Sequence, residues 1–201
     1  MHILVIDNYD SFVYNIVQLL RESALQPTFS VTRNDAIPFE RINDFDAFIL
    51  SPGPGIPTEA NGMPRLLKHY AATKPILGIC LGHQAIIENF GGEIINMGTP
   101  VHGHRSALRI LDADDSLYSG ISGPVYVGRY HSWVARKDKM PQELIATAED
   151  EDGNIMSVRH RTKPIFGVQY HPESFMCSHG QTIIDNWLAA VNLQANHSSP
   201  I

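Results

Sequence analysis

A cysteine between two glycines is the first feature of the sequence with a potential for chemistry. Residues 78–84 read GICLGHQ, so Cys80 follows a short apolar run and precedes a helical pattern. A nucleophile on a sharp strand-to-helix turn needs small neighbours, and the positive end of the following helix favours a thiolate. The pattern predicts a nucleophile elbow at Cys80. Taken alone, it also fits a buried structural cysteine beside a tight turn.

A histidine and a glutamate two residues apart form the second candidate. Pro172 lies between His171 and Glu173 and restricts His171 to extended geometry, in which side chains two residues apart point to one side. A cysteine nucleophile needs a base, and that base needs an acceptor that orients it. The pair therefore predicts His171 as the base and Glu173 as its orienting group. Taken in isolation, a solvated pair near a turn is an equally common explanation.

The third candidate is a loop of prolines and glycines. Residues 51–55 read SPGPG and follow a short apolar run. Prolines fix such a loop, and glycines allow a substrate to approach the backbone closely. The N–H groups of Gly53 and Gly55, with that of Leu81, could form an oxyanion hole. Taken alone, a tight turn is the commoner explanation, and the G-x-x-x-x-G-K-[ST] pattern of a phosphate loop does not occur.

These candidates need strands and helices that bring them together. Short continuous apolar runs predict strands buried on both faces, and segments with helical spacing alternate with them. Asp10 or Ser11 could cap the first helix, in which Phe12, Ile16 and Leu20 recur at helical spacing. The predicted strands are 3–6, 47–50, 75–79 and 165–168, and the further predicted helices are 63–72, 83–90 and 181–191. This alternation predicts an α/β fold with a mostly parallel central sheet flanked by helices.

Residues 93–168 change in character. Segments 106–110 and 125–127 alternate apolar and polar residues, which favours additional antiparallel strands. The sequence contains no internal repeat and no low-complexity linker, so we expect one domain over residues 1–195. Residues 196–201 have the composition of a flexible C-terminal tail.

Composition narrows the class of protein. Hydrophobic residues make up 43% and charged residues 18% of the 201 residues, as in ordinary globular proteins. A net charge of -6 makes nucleic acid an unexpected partner. No apolar stretch is long enough to span a membrane, and the N-terminal apolar run has no cationic leader. The two cysteines form no disulfide framework, so the expected location is cytoplasmic.

Four motifs in this order resemble the class I, or triad-type, glutamine amidotransferases. They are SPGPG at 51–55, GICLGHQ at 78–84, YHS at 130–132 and QYHPES at 169–174, and they extend over most of the chain. The segment DNYDSF at 7–12 resembles the branch that contains anthranilate synthase component II and the glutaminase subunit of aminodeoxychorismate synthase. This segment follows the first strand, so we expect it to face the carboxyl edge of the sheet and a subunit interface.

The resemblance implies a flavodoxin-like fold and a defined chemistry. Cys80 would attack the amide carbon of L-glutamine and release ammonia through a thioester, with His171 moving protons and Glu173 orienting it. Gly53 and Leu81 would supply oxyanion N–H groups, and the expected substrate-binding residues are Gly53, Pro54, Gly55, Leu81, Gln84, Ser132 and Trp133. Members of the branch pass ammonia to a separate chorismate-using synthase subunit. No motif in the chain suggests a cofactor or a metal.

The branch leaves two pathways open. The resemblance favours anthranilate synthase component II, which serves tryptophan synthesis. The alternatives are the glutaminase subunit of aminodeoxychorismate synthase, which serves folate synthesis, or one subunit that serves both.

Three segments depart from the pattern of the family. His102-Gly103-His104 stands where His-Gly-Lys is usual, Trp133 replaces a leucine, and residues 175–177 read FMC in place of an Ile-Leu-Thr-like stretch. None of these departures removes a triad member. They bear on the shape of the glutamine pocket and on partner recognition. Cys177 matches no catalytic position of the family and is expected to be a structural thiol.

Proteins of other classes could carry some of these residues. A metal-dependent hydrolase could use His102 and His104 with His131 or His171, but neither H-E-x-x-H nor paired-cysteine spacing occurs. A redox sensor could place a cysteine on a sharp turn, yet it would not require all four motifs together. A catalytically silent binding module is opposed by the intact triad.

Overall fold

A single twisted β-sheet organises the part of the chain that the structure describes. The computed structural model describes residues 1–197, without the side chains of residues 99–101 and 194–197. The strands are β1 (His2–Asp7), β2 (Thr28–Arg33), β3 (Ala47–Leu50), β4 (Ile76–Ile79), β5 (Ile94–Ile110), β6 (Val125–Ala135), β7 (Leu144–Glu149), β8 (Ile155–His160) and β9 (Ile165–Val168). The α-helices are α1 (Val13–Glu22), α2 (Met63–Tyr70), α3 (Leu81–Asn89) and α4 (Gly180–His197).

The order of the strands confirms the predicted α/β class. Neighbours in the sheet run β2-β1-β3-β4-β9-β8-β7-β5-β6. The first five strands in this order pair in parallel, and the remaining pairings are antiparallel. The order of the parallel part is that of a flavodoxin-like sheet, with β9 as its fifth strand. The predicted antiparallel segments 106–110 and 125–127 lie in β5 and β6.

Helices cover the parallel strands on both faces. In β1, Ile3 and Val5 belong to one apolar cluster, and Leu4 and Ile6 belong to the other, as the alternation of a strand requires. The first cluster includes apolar residues of α1 and α4, and the second includes those of α2 and α3. Burial on both faces explains the continuous apolar runs from which these strands were predicted.

The start of the first helix differs from the prediction. Phe12 is the residue before α1 and is 46% exposed, so it does not belong to the buried face of the helix. Neither predicted cap forms, because the Asp10 carboxylate accepts from the Phe12 N–H group, at 2.8 Å, and holds a turn ahead of the helix. The Phe12 ring lies instead near Tyr130, with ring centroids 6.3 Å apart.

Other element boundaries shift by a few residues. Helix α2 ends at Tyr70 rather than at residue 72, and α3 begins at Leu81 rather than at residue 83. Helix α4 continues to His197, two residues into the segment 196–201 expected as a tail. Residues 198–201 lie outside the described residues.

A fully buried histidine, His83, packs between α3 and strand β9 of the sheet. Within the described residues, neither ring nitrogen of His83 makes a hydrogen bond of good geometry. A Cβ atom added at Gly167 of β9 would come within 2.7 Å of His83 Nδ1. Burial lowers the pKa of His83 from 6.5 to about 3, against a smaller opposing effect of the Gly167 backbone. His83 is therefore neutral in the folded chain at physiological pH.

This burial makes the fold sensitive to acid. Below pH 6.5 the unfolded chain protonates a histidine that the folded chain keeps neutral, so stability falls as the pH decreases from 6.5 towards 3. One such group contributes a slope of about 1.4 kcal/mol per pH unit. We expect His83→Gln to remove about this much slope from the free energy of unfolding, measured with urea from about pH 4 to pH 6. The exposed His69→Gln variant is the control, and an unchanged slope in His83→Gln would contradict the assignment.

Candidate active site

The predicted site residues meet at the carboxyl edge of the parallel strands. Residues 8–12 follow β1, residues 51–55 follow β3, Cys80 follows β4, and the segment of His171 follows β9. Open parallel sheets bind their ligands at this edge, where the strand order reverses. The fold therefore gathers motifs that are as far apart in sequence as residues 7 and 173.

Cys80 occupies a strained turn between β4 and α3. Its φ is +51° and its ψ is -100°, a conformation that is unusual for a residue with a side chain. A Cβ atom at Gly78 would come within 2.4 Å of the Gly82 carbonyl oxygen, and one at Gly82 would come equally close to the Leu50 oxygen. The Cys80 N–H group donates to the Val168 carbonyl at 2.8 Å. This is the geometry expected of a nucleophile elbow.

His171 and Glu173 form a buried pair. Nδ1 of His171 lies 2.7 Å from Oε1 of Glu173, and both side chains are almost completely buried. The backbone N–H of His171 donates to the Gly128 carbonyl at 3.1 Å, which fixes the segment against β6. The prediction that the two side chains point to one side agrees with this geometry.

Electrostatics couples this pair to the cysteine. Burial alone would lower the pKa of His171, but the interactions with Cys80 and with the Glu173 carboxylate raise it well above its usual value. His171 Nε2 makes no hydrogen bond of good geometry with the described residues, so its contact with Cys80 falls short of a full hydrogen bond. The arrangement favours the protonated form of His171.

The proline-glycine loop is anchored by Asn8, a residue whose role was not predicted from the sequence. Asn8 donates from its side chain to the Ser51 carbonyl at 2.8 Å, and its backbone N–H donates to Ser51 Oγ at 2.9 Å. A Cβ atom at Gly53 would come within 2.5 Å of Asn8 and 3.0 Å of Leu81, so the loop packs against both. Gly53 and Leu81, the two expected oxyanion donors, are neighbours in space.

Gln84 belongs to a chain of hydrogen bonds that ends at Cys80. Its Nε2 donates to the Trp133 carbonyl at 3.1 Å and to Gln169 Oε1 at 3.2 Å. Gln169 Nε2 in turn donates to Cys80 Sγ at 3.6 Å. Gln169 was not predicted as a site residue, although the spacing of two residues that joins His171 to Glu173 also joins Gln169 to His171.

Tyr130 contacts His171, and this role was not predicted from the sequence. Its ring meets the His171 ring edge-on, with centroids 5.1 Å apart, and it contacts His102 in the same way at 5.5 Å. The motif YHS contained this residue, but only its Ser132 was assigned a role. Tyr130 therefore forms one wall beside the imidazole.

A cavity of about 540 Å³ is lined in part by His171 and Glu173. Phe12, Tyr130 and Phe175 line part of its wall. Neither Cys80 nor any of the expected glutamine-binding residues lines this cavity. It is therefore a space beside His171 and Glu173 rather than the predicted glutamine pocket.

Cys177 also lines this cavity. Cys177 is partly buried, and burial raises its pKa to about 11. Cys177 and Cys80 are both free thiols. Among the described residues, no group of three or more His, Cys, Asp and Glu side chains is arranged to hold a metal ion. No helix within the described residues is long and apolar enough to cross a membrane.

The sequence matches a known protein family and several curated proteins. The profile described as Glutamine amidotransferase class-I matches residues 4–191. Aminodeoxychorismate/anthranilate synthase component 2 of Bacillus subtilis is 40% identical over 188 residues, which cover 92% of this chain and 95% of that protein. Aminodeoxychorismate synthase component 2 of Escherichia coli is 40% identical over 191 residues, which cover 92% and 98%. Bifunctional protein TrpGD of Thermotoga maritima is 41% identical over 98% of this chain, which spans only 33% of that relative.

The fold has counterparts among solved structures. A glutamine amidotransferase from Thermotoga maritima superposes with a TM-score of 0.72 over 100% of this chain and 86% of that chain, at 15% identity. At that identity, the likeness concerns the fold alone. The match over residues 4–191 shows that the chain belongs to the class-I glutamine amidotransferases. Within this family it is of the anthranilate and aminodeoxychorismate synthase type.

The geometry of the pair predicts a graded effect of Glu173. Glu173→Gln keeps an oxygen near His171 Nδ1 but removes the charge that stabilises the imidazolium, and a thiol still ionises in part without that help. We expect kcat for glutamine to fall by roughly 10 to 1,000-fold, about 1.4 to 4 kcal/mol of barrier, with KM less affected. The exposed Glu143→Gln variant serves as the control. A wild-type kcat with only KM raised would reassign Glu173 to substrate binding.

Proposed function

We propose that this chain hydrolyses L-glutamine to glutamate and ammonia through a cysteinyl thioester and delivers the ammonia to a chorismate-using synthase subunit. The observation that carries the proposal is the buried His171–Glu173 pair, 2.7 Å apart, coupled to a cysteine on a strained elbow. The family to which the chain belongs supports the same chemistry.

The proposed reaction uses each member of the triad once in each half. The Cys80 thiolate attacks the amide carbon of glutamine, and the carbonyl oxygen becomes an oxyanion. The His171 imidazolium gives its proton to the departing nitrogen, so ammonia leaves and a thioester remains. A water molecule then attacks the thioester and loses a proton to His171, and glutamate leaves as the Cys80 thiolate is restored. Glu173 holds the imidazole and stabilises its charged form.

The loops around Cys80 supply the proposed substrate contacts. The N–H groups of Gly53 and Leu81 would face the oxyanion, because these residues pack together beside the elbow. Leu81 is also the first residue of α3, so its N–H lies at the positive end of that helix. The further proposed glutamine contacts are Pro54, Gly55, Gln84 and the backbone of Ser132 and Trp133.

The acceptor of the ammonia decides the pathway. We propose anthranilate synthase component II as the role of the chain, with the glutaminase subunit of aminodeoxychorismate synthase, or one subunit serving both, as the alternative. The name of the Bacillus subtilis relative contains both products, and that of the Escherichia coli relative contains only aminodeoxychorismate. The two free thiols accord with a cytoplasmic location.

A cluster of exposed aromatic side chains supports docking of the synthase at the site. Phe12 follows β1 and is 46% exposed, and Phe175 follows the His171 and Glu173 pair and is 89% exposed. Phe12 and Phe175 also line the cavity beside His171 and Glu173. Exposed aromatic residues around a cavity are typical anchors of protein interfaces. A partner bound there would cover the cavity that His171 and Glu173 line.

The thioester proposal is tested by changing the nucleophile. A serine at position 80 lacks the easily ionised thiol, so we expect Cys80→Ser to abolish glutamine-dependent formation of anthranilate by the complex. Added ammonium salt bypasses the glutaminase, so ammonia-dependent synthesis should remain near the wild-type rate. Both rates are measured from chorismate with product identification. Unchanged glutamine use would end the proposal, and aminodeoxychorismate as product would establish the alternative pathway.

The docking proposal predicts partner-dependent activity. We expect the isolated chain to hydrolyse glutamine slowly and the purified synthase subunit to raise kcat clearly, because the partner would order the wall of the site. Phe175→Ser should weaken association by about 10 to 100-fold in a titration with the synthase subunit. Leu25→Ser, on a 41% exposed residue ahead of β2 at the opposite edge of the sheet, is the matched control. Equal glutaminase rates with and without the partner would exclude coupled activation.

A further inference from the structure

The hydrogen bond from Gln169 to Cys80 belongs to a longer chain of hydrogen bonds. At its far end, Arg129 and Asp150 form an ion pair at 2.8 Å in which both side chains are buried. Arg129 Nε also donates to Nε2 of His131 at 3.3 Å. His131 Nδ1 lies 3.1 Å from the Trp133 carbonyl oxygen. An arginine thus connects through a histidine to the backbone carbonyl that Gln84 contacts.

The direction of each hydrogen bond in this chain is dictated by groups that cannot reverse. Arginine only donates, so the neutral His131 must present its lone pair at Nε2 and its proton at Nδ1. Burial, with the Arg129 charge, lowers the pKa of His131 to about 4, which keeps the ring neutral. The Trp133 carbonyl only accepts, and the His131 Nδ1–H group donates a hydrogen bond to it. Gln84 must therefore turn its NH₂ group, and not its oxygen, towards Trp133.

The orientation of the Gln84 amide determines which group faces Cys80. The second hydrogen of the Gln84 NH₂ group requires an acceptor, which Gln169 Oε1 supplies at 3.2 Å. With its oxygen committed, Gln169 has only its NH₂ group for the sulfur. A reversed Gln169 amide would place two donors against each other at Gln84 and an oxygen against the thiolate. The backbone carbonyl of Trp133 thus determines that Cys80 Sγ faces a donor.

We propose that Gln169 is a fourth catalytic residue, whose NH₂ group binds the Cys80 thiolate in an orientation imposed by Gln84 and the Trp133 carbonyl. The contact stabilises the sulfur before it attacks and again when it leaves in the second half of the reaction. Gln84 and His131 are positioning residues, because they act on the sulfur only through Gln169. The role of Gln169 in turnover rests on the proposed glutaminase function, whereas its effect on the reactivity of Cys80 does not.

The effect of Gln169 on the reactivity of Cys80 can be tested without glutamine. Alkylation of the full chain by iodoacetamide at fixed neutral pH reports the thiolate of Cys80, and peptide mass spectrometry separates it from Cys177 in the same molecule. Gln169→Met removes the donor, and Gln169→Glu keeps the acceptor for Gln84 while it replaces the donor with a negative oxygen. Hydrogen bonds to charged groups contribute enough for an expected slowing of about 10 to 100-fold in Gln169→Met, and more in Gln169→Glu.

The link at Gln84 gives an independent variant. Gln84→Met leaves the Gln169 amide free to turn, so we expect alkylation of Cys80 to be slower than in the wild type, though slowed by less than in Gln169→Met. This variant carries the test if Gln169→Met does not fold. Thr147→Val is the control. It removes a buried 2.9 Å hydrogen bond from Thr147 to Ser157 of the neighbouring strand, and among the described residues Thr147 makes no contact with the hydrogen-bond chain of Gln84 and Gln169. Its Cys80 should react at the wild-type rate even where its unfolding temperature falls.

Turnover in the complex separates the outcomes. We expect Gln169→Met to lower kcat for glutamine with little change in KM, and to leave ammonia-dependent synthesis unaffected. Wild-type alkylation of Cys80 in folded Gln169→Met would overturn the proposal, as would an equal slowing at Cys177, which would show that the effect is not specific to the sulfur that Gln169 contacts. Slower alkylation of Cys80 in a chain that proves not to use glutamine would refute the glutaminase function and leave the Gln169 contact established.

Discussion

The backbone turn at Cys80 is the constraint on which the rest of the site depends. A φ of +51° at a residue with a side chain costs free energy, and the surrounding structure must supply it. Gly78 and Gly82 allow the turn because any Cβ atom there would collide with backbone oxygen atoms. The turn places the sulfur at the N-terminus of α3 and at the carboxyl edge of the sheet, where the segment of His171 also lies. Packing of the parallel strands therefore brings the proposed nucleophile and the proposed base together.

Three buried histidines show how neighbours set the charge of the same side chain. His171 has a carboxylate at 2.7 Å and lies beside the cysteine, and its pKa is raised despite burial. His131 lies next to Arg129, and both burial and that charge lower its pKa to about 4. His83 is fully buried on α3, and burial lowers its pKa to about 3. Only the first is suited to carry a proton in catalysis, while the other two are fixed as neutral structural groups.

The sequence predicted the parts of this architecture that depend on local pattern. Strands such as Ala47–Leu50 and Ile165–Val168 were predicted with their observed bounds, because burial on both faces requires continuous apolar residues. Phe12 was misassigned because helical spacing does not reveal that a ring lies against Tyr130 outside the core. The roles of Asn8 and Gln169 depend on loops that meet only after the sheet forms, so no spacing in one segment displays them fully. The contacts of the glutamine substrate remain predictions.

The central claim is that Cys80 forms a covalent thioester with glutamine while His171 and Glu173 manage its protons. Acid quenching of the partner-bound complex during turnover, followed by peptide mass spectrometry, tests it most directly. We expect a glutamyl adduct on the peptide that contains Cys80, with none on the peptide of Cys177, and loss of the adduct after the glutamine is consumed. Turnover without any adduct on Cys80, or an adduct on Cys177, would contradict the claim.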